Sequence, residues 1–327
     1  MTKRGQAEQF NWIFVVVAGA IILGFFTMFT FKYIELQKKR QDIDSIKLLG
    51  DRILAVGSKL HVGGGASVDA QGDEGIRFGY DVDFRYVCND DVAHILVGKN
   101  NYDYRLQDEI VFMDKEVRFR GFDEGADLWI LPWNFPYHVT NFIYLANSKD
   151  KFYLVYDSSS GDFVNELEIS GVFDVEFVKF NEIGIIRPNS KIIFLTQNEP
   201  STSDIEDLKK DAKYVSFVYV NNNEARFFDQ GKWSRGIKFY SLEQFYGTIF
   251  SNDADTFECN IKRALDKTAN LAGLYIERAR VLNQLDRREG CQYSQIADAL
   301  SQYASGKFEL KDELEKLNLG GGCIWVF

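Results

Sequence analysis

The chemistry open to this chain begins with its cysteines. Cys88, Cys259, Cys291 and Cys323 permit three pairings. Length excludes one of them. Cys259 opens a continuous helical pattern and Cys291 lies just past its end; the 32 residues between them span about 48 Å as helix. A disulfide needs Cα atoms within about 7 Å. Cys291 and Cys323, by contrast, flank a two-helix hairpin with arms of similar length, so their ends meet. Cys88–Cys259 is the remaining pair. The alternative is four reduced, buried thiols, as expected of a body in the cytoplasm.

Other reactive residue types are sparse. His61, His94 and His138 form no i,i+4 pair and no H-E-x-x-H, and no C-x-x-C occurs. There is no G-x-x-x-x-G-K-[ST], no G-x-G-x-x-G and no G-x-S-x-G. Gly63-Gly64-Gly65 follows a helical pattern instead of a strand, which weakens a phosphate-cradling reading. Asp81 and Asp83 fall on the outward side of a strand pattern, where carboxylates are solvated. Trp129, Trp133 and Tyr137 lie in the densest aromatic stretch and could form a platform for sugar or peptide; core packing is the duller account. No catalytic, metal or cofactor residue is assigned.

These groups must be positioned by a body of unusual charge. The chain has 327 residues, enough for about two domains, with 46% apolar and 26% charged residues. Net charge is −10, but residues 1–40 hold six bases and two acids. The remainder therefore holds 32 bases and 46 acids, a net of −14. Such a body repels phosphate backbones, which argues against nucleic acid as a partner.

Trp12 to Phe31 contains no charge, and its 20 residues make a helix of about 30 Å, the thickness of a bilayer's hydrocarbon core. Trp12 and Tyr33 sit at its ends, where amphipathic rings favour the interface. The expectation is a single transmembrane helix over 12–31 that contacts lipid, after a short tail at 1–11. Ile43, Ile46, Leu49, Ile53, Val56 and Leu60 continue in steps of three and four, so 32–62 reads as an amphipathic stalk that ends before Gly63. The stalk could self-associate or pack on its own head.

Lys3-Arg4-Gly5-Gln6 precedes the apolar run directly. This motif resembles the class III signal of archaeal type IV pilins and related surface proteins, over about the first 31 residues. The resemblance implies cutting between Gly5 and Gln6 with the hydrophobic helix retained. It departs from the pilin pattern at the fifth mature position, which is Phe10 instead of an acid. The stretch from Gln6 to Phe26 also resembles uncharacterised single-pass archaeal membrane proteins without an assigned activity. Orientation draws on opposed signals. Lys32, Lys38, Lys39 and Arg40 outnumber Lys3 and Arg4, which favours a cytoplasmic body; the class III resemblance implies an extracytoplasmic one, and this is the expected side.

Residues 63–187 read as an antiparallel β domain. Ile76 to Cys88 alternates for thirteen residues, and strands follow at 93–97, 110–113, 117–120, 128–131, 139–145, 152–156, 163–169 and 175–180. Residues 188–250 read as an α/β element, with a helix capped by Ser203-x-x-Glu206 between two buried-type strands. Residues 251–327 read as helical, with a long helix capped by Asp255-x-x-Glu258 and a C-terminal helical hairpin. The fold class is α+β. The expected function is a membrane-anchored extracytoplasmic structural or interaction protein, pilin-like at its N-terminus, with an unnamed protein partner. Two other readings stay open: a cytoplasm-facing membrane scaffold, and an enzyme with its site near Thr196 and Asn198 at the C-terminal edge of the α/β element.

Overall fold

The computed structural model describes residues 3–60, 76–89, 92–99, 101–106, 109–121, 123–160, 164, 167, 175–182, 186–209, 215–286, 288, 290–319 and 323–327; in the first segment, side chains are described from Trp12 to Ile53. The fold is α+β, with a long apolar N-terminal helix, antiparallel sheets and C-terminal helices.

α1 runs Lys3–Leu60, 58 residues and about 87 Å. It joins the expected transmembrane and stalk segments in one helix, begins inside the stretch expected as a tail at 1–11 and ends two residues short of the expected 62; the glycines at 63–65 lie outside the described residues. Its most apolar 18 residues have mean hydropathy 2.5 and none is buried. The helix is therefore long and apolar enough to cross a membrane, and nothing in the fold covers that part. Further along the same helix the pattern narrows to one side. Asp42, Ser45, Leu49 and Ile53 are buried while Ile43 is exposed. Leu49 and Ile53 enter the core of the head, so the lower stalk spends its apolar face on the head domain.

Two four-stranded sheets form a sandwich on that face. The outer sheet has order β4(Tyr102–Leu106), β3(Ala93–Val97), β2(Val82–Cys88), β6(Glu116–Phe119), all antiparallel. The inner sheet has order β1(Ile76–Arg77), β7(Gly125–Asn134), β8(His138–Asn147), β5(Ile110–Phe112), with β5 parallel to β8. The continuous alternation from Ile76 to Cys88 is in fact shared between the two sheets. Gly79 at φ 72° turns the corner, and the buried side stays in phase through Phe78, Val82, Phe84 and Tyr86. β4 carries Asp103 and Arg105 on its outer side and has no clean apolar run, so its sequence does not announce it.

The third sheet has seven strands: β10(Val175–Lys179), β9(Lys151–Tyr156), β11(Ser190–Leu195), β12(Ser216–Asn221) and β13(Glu224–Asp229), with β14(Lys232–Trp233) and β15(Ile237–Lys238) both on β13. β10, β9, β11 and β12 are parallel. The α/β sheet therefore begins at Lys151, and the division expected at 187/188 falls inside it. Parallel strands are buried on both faces and read as apolar runs whichever sheet they join, so pairing direction was invisible in 152–156. Of the strand expected over 163–169, Val164 and Leu167 are instead helical and buried; the rest of it lies outside the described residues.

Helices α2(Thr202–Lys209), α3(Leu242–Phe250), α4(Ala254–Leu285), α5(Tyr293–Ala304) and α6(Lys311–Asn318) complete the chain. α2 is capped by Ser201 and Asp204, which exchange bonds (Ser201 N to Asp204 Oδ2, 3.0 Å; Asp204 N to Ser201 Oγ, 3.2 Å), two residues before the expected Ser203–Glu206 box. α4 is capped by Asp253, which accepts from Thr256 N at 2.9 Å, again two residues before the expected cap. α3 was unforeseen although Ser241-x-x-Gln244 is a capping box: Gln244 N donates to Ser241 Oγ (3.3 Å) and Tyr240 N to Gln244 Oε1 (2.7 Å). One large core joins the inner sheet, the seven-stranded sheet and α3–α6. A small core lies beneath α2, around Ile205, Phe194 and Phe217.

Candidate functional site

The cysteines pair as the helix lengths require. Cys88 and Cys259 are bonded with Cα atoms 6.1 Å apart, and Cys291 and Cys323 with Cα atoms 5.6 Å apart. The first bond ties the outer sheet to the start of α4. Beside it lies a buried polar joint: Tyr86 Oη donates to Asn260 Oδ1 (2.6 Å), Asn260 Nδ2 to Val111 O (2.7 Å) and Arg263 Nη2 to Leu106 O (3.3 Å). Burial pushes the Tyr86 phenol up, so it stays a donor. The second bond closes the α5–α6 hairpin. There Asn318 Oδ1 accepts from Val326 N (2.7 Å), Asn318 Nδ2 donates to Phe327 O (2.7 Å), and the Phe327 ring meets Tyr137 and Tyr275.

The aromatic stretch packs mostly inward. Trp133 and Tyr137 are buried. Trp133 is stacked between Phe135 (5.3 Å) and Phe142 (4.9 Å), with its Nε1 donating to Ser241 Oγ (3.1 Å). Tyr137 Oη donates to Thr268 O (2.6 Å), and Trp129 lies half-buried against Phe250. Alternation across β7 and β8 turns these rings toward α3 and α4, where aromatic area is worth most as core.

Thr196 and Asn198 do lie at the carboxyl ends of the parallel strands, where strand order switches between β9 and β11. The polar groups there serve one another. Thr196 Oγ1 donates to Asn198 O (2.8 Å), and Asp157 accepts from Gln197 N and Ser159 N, both at 2.8 Å. Asp81 and Asp83 share Arg120 on the surface. His94 bonds Asp103 (2.6 Å), and His138 is exposed beside Asn134 (3.2 Å); His61 lies outside the described residues. Among the described residues no group of three or more His, Cys, Asp or Glu is placed to hold a metal ion. Gly5 and Gln6 fall in the first turns of the α1 backbone.

Two features were not singled out from the sequence. Lys191, buried at the start of β11, donates to Asp114 of the sandwich and to Phe250 O at the end of α3 (2.9 Å). Burial pushes the Asp114 carboxyl up, against the pull of Lys191. Asp150 is pushed up to about 7, by burial and by the negative charges of Asp114 and Asp127, against the pull of Lys191 and a bond from Asn147 N. This joint holds the seven-stranded sheet to the sandwich. Charges separated by long stretches of chain leave no pattern in a sequence.

The second feature is an open cleft of about 730 Å³, within the range of ligand sites. One wall is the stretch from Arg235 to Lys238, with Tyr240 beyond. The opposite wall is α4, from Asp255 to Ala269, and the α5 turn closes one end with Ser305, Gly306 and Phe308. Ile237, Ile261 and Leu265 supply apolar surface. Arg235 Nη2 crosses to Glu258 Oε1 at 2.7 Å. Cys259 lies in the helix wall, so the disulfide fixes that wall to the sandwich. No known protein family, curated protein or solved structure matches this chain.

Proposed function

We propose that this chain is a single-pass membrane-anchored protein whose head lies outside the cytoplasm and serves a structural or interaction role. The observation that carries the reading is the bare apolar half of α1, rigidly continuous with a stretch packed into the head. Exposed apolar surface of that extent is stable in lipid and not in water. The side of the membrane is argued from the cysteines. All four are bonded, which belongs to an oxidising compartment. Processing between Gly5 and Gln6, as in class III signals, is part of the same proposal and is tested by the mature N-terminus.

A cytoplasm-facing scaffold is the second reading, favoured by Lys32, Lys38, Lys39 and Arg40 beyond the apolar run. Labelling of intact cells with a membrane-impermeant maleimide, after impermeant reduction, separates the two. The extracytoplasmic reading expects labelled cysteines before lysis. Labelling only after lysis, with no reductant needed, would transfer the head to the cytoplasm.

A further inference from the structure

Among the described residues no strand pairs with the outer edge of β15, and the cleft runs along it. β15 meets β13 at Ile237↔Ala225 and Lys238↔Glu224, and Phe239 N donates to Asn223 O (2.9 Å). Bonded and non-bonded pairs alternate in an antiparallel ladder. Ile237 and Phe239 therefore spend their main-chain groups on β13, and Lys238 turns its N–H and C=O outward. Side chains of consecutive strand residues point to opposite faces, yet Ile237 and Lys238, the two residues of β15, both line the cleft. The cleft thus lies beside the strand rather than above or below it. On the opposite wall are the apolar Leu265 and the exposed carboxylates Asp255 and Asp266, which have no ion pair among the described residues; Lys262 of the same wall has a partner of its own.

A strand edge opposite a helix is a site for an extended backbone: main-chain bonds hold it, and alternate side chains are read by the helix. Charge narrows the occupant. A second copy of this edge would bring Lys238 against Lys238, which like charges disfavour. A segment with basic side chains directed at α4 would meet Asp255 and Asp266. We propose that the cleft accepts an extended segment of a partner protein as an added strand on Lys238, with an apolar side chain on Leu265 and basic side chains toward Asp255 and Asp266. This rests on the interaction-protein reading and not on which side of the membrane the head occupies.

The test uses the full chain, purified in detergent. The probe is an acetylated, amidated heptapeptide, Thr-Lys-Thr-Val-Thr-Lys-Thr, with two analogues N-methylated at the odd or the even amides. The parent peptide is expected to bind saturably and to slow hydrogen exchange across 236–240. One analogue, blocked on the edge that pairs, should lose binding; the other, blocked on the far edge, should keep it. Asp255→Lys with Asp266→Lys should weaken the parent by about tenfold, with both disulfides intact on peptide mapping. Exposed Asp266→Asn alone should give a smaller loss, which guards against a double variant that fails to fold. No saturable binding, equal behaviour of the two analogues, or indifference to both charge variants would overturn the proposal. None of these outcomes depends on the labelling of intact cells, so either reading can fail without the other.

Discussion

Residues 12–31 and 42–53 belong to one unbroken helix and have two different surroundings: the first is uncovered by the fold, the second packs on the head. The first stretch is apolar on all sides and exposed on all sides. In the second, apolar and small residues keep to one side. Ser45 bonds Tyr80 (2.9 Å), Tyr80 donates to Gln41 O (2.7 Å), and Gly50 lies against the Tyr104 ring. Uniform hydrophobicity suits a uniform solvent, and a stripe suits a protein surface. The contrast teaches that α1 is in turn a bare apolar helix, long enough to cross a membrane, and a core element of the head, with the change completed between Phe31 and Asp42.

The sharpest way to break this comparison is to make one substitution in both stretches and unfold the head in urea. Leu49→Ala should cost about 2–5 kcal/mol of head stability through the cavity it leaves. Leu23→Ala should leave the urea midpoint where it is. Equal losses would mean that the head does not use the helix as described.

Glycine gives a second pair. Gly98 has φ +69°, and a Cβ there would stand 2.1 Å from Asp42 of α1. Gly98→Ala is expected to destabilise by about 1–3 kcal/mol. Gly24 has open space around it, so Gly24→Ala should not affect the head.

Titration sharpens the contrast further, because residues 12–31 carry no ionisable side chain. Asp150 binds its proton more tightly folded, at about 7, than in an unfolded chain, at an ordinary value near 3.8. Between those values the folded state holds the extra proton. Stability from this group is then complete at the acid end and is lost as pH rises toward 7, by at most about 1.4 kcal/mol per pH unit. Asp150→Asn should flatten that slope in urea titrations, while membrane partition of an acetylated, amidated 12–31 peptide, which has no titrating group, should show no slope in the same window.

The smallest effect is expected at the hydroxyls. Ser45→Ala removes a bond to Tyr80 and should cost about 1 kcal/mol. Thr27, which donates to Leu23 O of its own helix (2.8 Å), should be replaceable by Ala with no change in head unfolding.

Much of this was legible because it is local. Of the stripe with period three and four from Ile43 to Ile53, the head buries Leu49 and Ile53 and half-buries Ile46, while Ile43 at its start is exposed. The cysteine pairs followed from helix length, since 1.5 Å per residue is a hard constraint on which ends can meet. Caps were harder: Ser201 and Asp253 lie two residues before the boxes that drew attention, because several polar residues near each helix start can accept the same N–H. Trp133 and Tyr137 were ambiguous for another reason. An aromatic pair reads alike in a core and on a binding surface, and only the arrival of α3 and α4 over β7 and β8 decided for the core.

The sequence by itself determined what depends on neighbours along the chain: the uncharged span, the stripe below it, the α+β class and the reach of each cysteine. Tertiary structure alone decided which strands pair in parallel, that Ile76 and Val82 enter different sheets, that Lys191 meets Asp114, and that Lys238 is left on an open edge facing α4. The physical reason is that helix rise and side-chain alternation are properties of a few consecutive residues, whereas sheet partnership and buried charge pairing are chosen among distant segments by their fit to a common core.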